Sequence, residues 1–112
     1  MEKTKYYYYR DAKNRPVVTV CLIQANGDVT RGVAIYSLLD NPCKKTGRKI
    51  SRDRAIYAMK TKENNCDIDR ADAHLVLSSV IEGSGGLFGW SKSAFNPYLT
   101  HLENKIIYGE GI

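Results

Sequence analysis

The sequence predicts an α+β fold: an N-terminal antiparallel β-meander of three or more strands, followed by C-terminal α-helices. Three observations predict it. Val17 to Ile23 is apolar at almost every position, the pattern of a central strand covered on both faces. Asn26-Gly27-Asp28 follows, and Asn-Gly is the dipeptide that a tight hairpin needing positive φ prefers. Beyond Asn41 the spacing of apolar and capping residues changes to a helical type.

The elements follow in order. Tyr6 to Tyr9 are strong strand formers, and the Asp11-Ala12-Lys13-Asn14-Arg15 segment reads as a turn. Val17 to Ile23 is the second strand. Val29 to Ser37 is the third, with Val29, Arg31, Val33 and Ile35 alternating against Thr30, Gly32, Ala34 and Tyr36. A first helix starts at Asn41-Pro42 or Thr46 and runs to about Lys62, with Ile56 and Met59 inward. Asp67 or Asp69 caps a second helix that buries Ala73, Val76, Leu77, Val80 and Ile81. Gly83 to Trp90 is a glycine-rich loop. Asn96-Pro97 opens a last helix that buries Leu99, Leu102 and Ile106 and stops at Gly109. The expected order is β-β-β-α-α-α in one domain over residues 1–112, with the sheet in 5–38 and the helical part in 42–109.

Composition narrows the class. At 112 residues the chain has enough length for a core without disulfide staples, and 43% hydrophobic content argues against disorder. No apolar run approaches the roughly 20 residues that span a bilayer, and the charged start offers no apolar signal core. Cys21, Cys43 and Cys66 are widely spaced and odd in number, which fits neither a zinc pattern nor a disulfide framework and suits a reducing cytoplasm.

The charge is focal. From Asn41 to Lys62 eight basic residues meet one acid, Asp53, for a net +7, whereas the whole chain carries +5 and the remainder therefore −2. Lys44, Lys45, Arg48, Lys49, Arg52 and Arg54 crowd the start of the predicted helix. A helix start already offers unpaired N–H groups and a positive dipole end, so added cations make it a phosphate-binding candidate. Lys44, Arg48 and Arg52 fall four apart and share one face of a helix that begins at Pro42. The competing reading is a solvated basic face.

The other motifs are less specific. The glycine-rich loop lacks both the dinucleotide fingerprint and the P-loop spacing. Its Phe88 and Trp90 either stack on a ligand base or tuck into the core, and Trp90 favours the core more than Phe88 does. Asn96 either contacts a ribose or phosphate, or caps the helix before Pro97. His74 and His101 stand alone. Asp67, Asp69 and Asp72 sit where capping acids belong, so neither a metal nor another cofactor is expected. No nucleophile with a sequence-visible base occurs, which predicts a non-enzyme. Four consecutive tyrosines on an edge strand favour packing against another subunit or a ligand.

Two resemblances follow. Three strands leading into a helix that starts with Lys44-Lys45, with Ala55 to Ala58 behind, resembles the double-stranded RNA-binding domain. That family opens with a helix before its strands, for which this chain has no room, and the likeness covers under half the sequence. Three stretches extend the comparison: the tyrosine run ending at Arg10, Arg15-Pro16-Val17-Val18-Thr19-Val20-Cys21-Leu22, and Gly32-Val33-Ala34-Ile35. With Lys44 to Lys49 and Phe95-Asn96-Pro97-Tyr98-Leu99-Thr100, they resemble the first-described class of phage Thoeris anti-defence proteins. That resemblance implies an N-terminal sheet with C-terminal helices and a homo-oligomer, the hexamer being one candidate state. It further implies a sponge that sequesters cyclic ADP-ribose-type signals, with cyclic oligonucleotides as further ligands, in the cytoplasm of an infected bacterial host. The ligand-binding residues it implies are Lys44, Lys45, Arg48, Lys49, Arg52, Arg54, Phe88 and Asn96, with no catalysis. The alternative is a basic nucleic-acid-binding module or an inhibitor of a nucleic-acid-guided defence system.

Overall fold

The computed structural model describes residues 2–36, 43–62, 66–67, 92–97, 99 and 101–109. They form an α+β fold whose meander comprises β1 (Lys3–Arg10), β2 (Pro16–Ala25) and β3 (Asp28–Ile35). Helix α1 (Lys44–Thr61) comes next, then short strands β4 (Cys66–Asp67) and β5 (Lys92–Phe95) and helix α2 (His101–Tyr108). The strand order is β1-β2-β3-β5-β4, with every pairing antiparallel.

Local chemistry sets the meander. Asn26 and Gly27 adopt φ of 53° and 83°, the two positive values that a two-residue hairpin of this hand demands, and Ala25 pairs with Asp28. At the other turn the Asp11 carboxylate accepts from the Lys13 and Arg15 amides at 3.0 and 2.9 Å and from Arg15 Nε at 2.9 Å. Burial works against the Asp11 charge, yet these donors outweigh it and hold the carboxyl below its usual range. Strand β2 is buried from Val17 to Ile23, the polar Thr19 included, as its nearly continuous apolar run predicts.

Alternation then sorts the side chains. Tyr7, Tyr9, Val18, Val20, Leu22, Val33 and Ile35 share one face of the sheet, where Ile107 of α2 packs with Leu99 and Ile106 at its margin. Cys21 and Ile23 lie on the other face under Ala55 of α1, flanked by Tyr6, Ile56 and Met59. Helix α1 buries Gly47, Ser51, Ala55 and Ala58, a stripe of small residues that lets it lie close to the sheet. A Cβ on Gly32 of β3 would fall 1.9 Å from the Ser51 carbonyl oxygen and 2.6 Å from the Ala55 nitrogen, so the approach requires glycine there. Lys62 ends the helix in the left-handed conformation, its N–H donating to the Ala58 carbonyl at 2.7 Å.

The face under α2 contains a buried ionic network. Arg31 Nε donates to Glu103 Oε2 at 2.7 Å, Arg31 Nη2 donates to Oε1 at 2.5 Å, and the Tyr7 hydroxyl donates to Oε2 at 2.6 Å. Arg31 and Glu103 are 2% and 0% exposed. One carboxylate thus ties β1, β3 and α2 together.

The C-terminal part departs from the sequence-based expectation in three places, one of them Leu102, which is exposed on the last helix and not buried. Asp67 lies in a strand, so it does not cap a helix, and a short β4–β5 pair joins the sheet. Lys92-Ser93-Ala94-Phe95 has little intrinsic strand character, and its pairing comes from the outer edge of β3, with Thr30 opposite Phe95 and Arg31 opposite Ala94. The last helix begins at His101, not at Asn96, because Asn96 occupies the left-handed region at φ 49°. The expected helix through Ala73, Val76, Leu77, Val80 and Ile81 and the glycine-rich loop at 83–90 lie outside the described residues.

Candidate functional site

The basic segment is ordered by the sheet beneath it. Cys43 is extended at φ −137° and ψ 121°, and α1 begins at Lys44. Below its first two turns is the face of edge strand β1 that presents Tyr6 and Tyr8, both half-buried. Arg48 Nη1 donates to the Tyr8 hydroxyl at 3.0 Å, and Lys44 Nζ stands 4.9 Å from the centre of the same ring. Arg52 continues that face one turn on and acts electrostatically on Tyr6. Burial raises the Tyr6 hydroxyl above its ordinary pKa, while the Arg52 and Arg48 guanidiniums pull against it. The (i, i+4) spacing of Lys44, Arg48 and Arg52 is therefore realised as a row along the tyrosine edge.

Lys45 and Lys49 are exposed beside this row. Lys49 pairs with Asp53 at 3.1 Å, with both side chains mostly solvated, so the pair stabilises little and leaves the patch strongly positive. Arg54 goes elsewhere. Its Nη1 donates to the Val33 carbonyl at 2.5 Å on the opposite flank of α1, beside a cleft of about 70 Å³ lined by Ala34, Ile35, Tyr36 and Ile50. The structure thus gathers Lys44, Lys45, Arg48, Lys49 and Arg52 and separates Arg54 from them.

Asn96 does not face this patch. Its Oδ1 accepts from the Val29 amide at 2.8 Å, its Nδ2 donates to Asp28 Oδ1 at 3.0 Å, and its own N–H donates to the Val29 carbonyl at 2.7 Å. Those bonds clasp the end of β5 to the β2–β3 hairpin, which accounts for the residue without a ligand. Phe88, His74, Asp69 and Asp72 lie outside the described residues. His101 is exposed on α2, and no cluster of three or more His, Cys, Asp or Glu suited to a metal occurs among the described residues.

Cys43 is exposed at the start of α1. The Thr46 amide foremost, then the Thr46 side chain, the Lys45 amide and the Lys45 charge, holds its thiol below the usual range. Cys21 is the reverse case, its thiol pushed up to about 12 by burial. The alternating side chains of β1 put two of the four tyrosine rings on each face, but no local pattern connects Tyr8 with Lys44 and Arg48. Strand alternation gives Tyr6 and Tyr8 a common face, yet only the packing of α1 decides that this is the face the cations reach.

Chemically, the patch offers guanidinium and ammonium donors over an aromatic edge, which suits phosphate and the faces of bases. The chain matches no protein-family model, no curated protein and no solved structure. Among the described residues no helix is long and apolar enough to cross a membrane.

Proposed function

We propose that this chain is a non-catalytic binding protein that captures a cyclic nucleotide signal and sequesters it, acting as an oligomeric phage sponge against bacterial defence in the host cytoplasm. The observation that carries this reading is the convergence of Lys44 and Arg48 on Tyr8, with Lys45, Lys49 and Arg52 exposed alongside. Such a surface supplies phosphate donors together with an aromatic wall. Sequestration works by mass action: tight binding lowers the free messenger and the defence effector stays off.

One observation favours a second reading. Lys44-Lys45 are the first two residues of a helix packed across a three-stranded meander, the placement that the double-stranded RNA-binding resemblance implies for phosphate contacts. The two readings differ in salt dependence. Each phosphate contact with a duplex releases counterions, so polyelectrolyte binding weakens steeply with salt, whereas capture of one small ligand does so far less.

A thermal-shift panel at low and high salt tests both. It compares cyclic ADP-ribose isomers, cyclic di- and trinucleotides, and short RNA and DNA duplexes. A ligand at a hundredfold its Kd stabilises by about 2.7 kcal/mol. A salt-tolerant shift with the ligand recovered intact supports the sponge, and its loss in Arg48→Ala/Arg52→Ala assigns binding to this patch. A shift with duplexes alone that disappears in salt replaces it with the nucleic-acid module, and no shift with any ligand rejects both.

A further inference from the structure

We infer that Tyr8 is a positioning residue for the anion-binding cations of α1, a role that rests on the ligand site proposed above. Long basic side chains on an exposed helix normally sample many rotamers, and a ligand must fix them as it binds. Here one ring restrains two of them before any ligand arrives. The Tyr8 hydroxyl accepts from Arg48 Nη1 at 3.0 Å, and the ring holds Lys44 Nζ at 4.9 Å from its centre. The two residues stand four positions apart on the helix, about 6 Å along its axis.

Tyr8 itself is well placed to hold them. Its backbone is paired in β1 opposite the fully buried Thr19, and its side chain has only two rotatable bonds before the hydroxyl. Arg48 spends one N–H on this contact and retains the others of its planar fork for a phosphate. Tyr8 therefore acts through Arg48 and Lys44: its hydroxyl sets the plane of the guanidinium, and its face sets the height of the ammonium. Both arise because Gly32 and Gly47 let α1 lie close to the sheet.

The test uses calorimetric titration with ADP and inorganic pyrophosphate as probes. Tyr8→Phe removes the acceptor and keeps the ring, and it weakens ADP binding roughly 3- to 10-fold at an unchanged melting temperature. Tyr8→Leu also removes the platform under Lys44 and weakens binding further. In an Arg48→Lys background the Tyr8→Phe change costs less than about twofold, since the contact it removes is already gone. A structural role alone would not move the Arg48 Nε–Hε resonance of the ligand-free protein, which shifts in Tyr8→Phe. Wild-type affinity in Tyr8→Phe, with binding lost in Arg48→Ala, overturns the positioning role and leaves the site standing. A wild-type protein that binds neither probe overturns both.

Discussion

Replacing Glu103 with glutamine removes the negative charge paired with Arg31 while keeping the side-chain volume. Arg31 is 2% exposed and bonded through Nε and Nη2 to this carboxylate, so the variant leaves a guanidinium buried without its counter-charge. Breaking one side of a buried pair costs about 3–5 kcal/mol. Coulomb's law at an effective dielectric of 20 gives about 4 kcal/mol for charges 4 Å apart, the same range. Against a total stability of about 5–15 kcal/mol the loss is a large fraction. With about 2.1 cal/mol/K of unfolding entropy per residue over 112 residues, the melting temperature drops by about 13–21 °C. Urea titration followed by circular dichroism measures the free energy, and calorimetry the temperature. Replacing both partners, Arg31→Met with Glu103→Leu, recovers most of the loss because no charge is left stranded. A Glu103→Gln protein within about 1 kcal/mol of wild type, or a double variant no better than the single, refutes the reasoning.

Three further outcomes are expected. Gly32→Ala drives a methyl into the Ser51 and Ala55 backbone, lifting α1 from the sheet and costing about 3 kcal/mol or more in urea titration; a neutral result would mean that the helix has room to move. Stability declines as pH rises above about 9, because Cys21 is raised from 9.0 to about 12 and Tyr6, Tyr7 and Tyr9 are raised above 10.0, in each case chiefly by burial. The unfolded chain then releases protons that the native protein keeps, so the contribution is complete below those unfolded values and is lost through the alkaline range. Denaturation midpoints that stay flat from pH 8 to pH 11 would contradict it. In a Cys66→Ser background, iodoacetamide labels Cys43 at neutral pH many times faster than Cys21, and equal rates by peptide mass spectrometry would show that the two thiols are not differentiated as described.

Much of the sheet was legible in the sequence because its signals are local. Asn26-Gly27 accepts positive φ where few residue pairs do, and a run as apolar as Val17 to Ile23 has only the centre of a sheet to occupy. The end of α1 near Lys62 was readable for the same reason, whereas its start at Lys44 falls between the two starts that capping residues suggested. The row of Lys44, Arg48 and Arg52 was readable because helical periodicity fixes which residues share a face. Strand β5 was not legible. Lys92-Ser93-Ala94-Phe95 pairs because β3 offers it an edge, and that edge is supplied by residues about 60 positions earlier.

The sequence alone therefore determined the fold class, the central strand, the hairpin and the focal positive charge, all of them properties of neighbouring residues. Tertiary structure decided which of those charges act together. Packing α1 through Gly47, Ser51, Ala55 and Ala58 turned Lys44 and Arg48 toward Tyr8, sent Arg54 to the Val33 carbonyl on the far flank, and left Asn96 clasping the hairpin. These contacts join residues 21 to 67 positions apart, and no local pattern specifies them, because a helix can rotate on a sheet until close backbone approach and buried charge select one orientation.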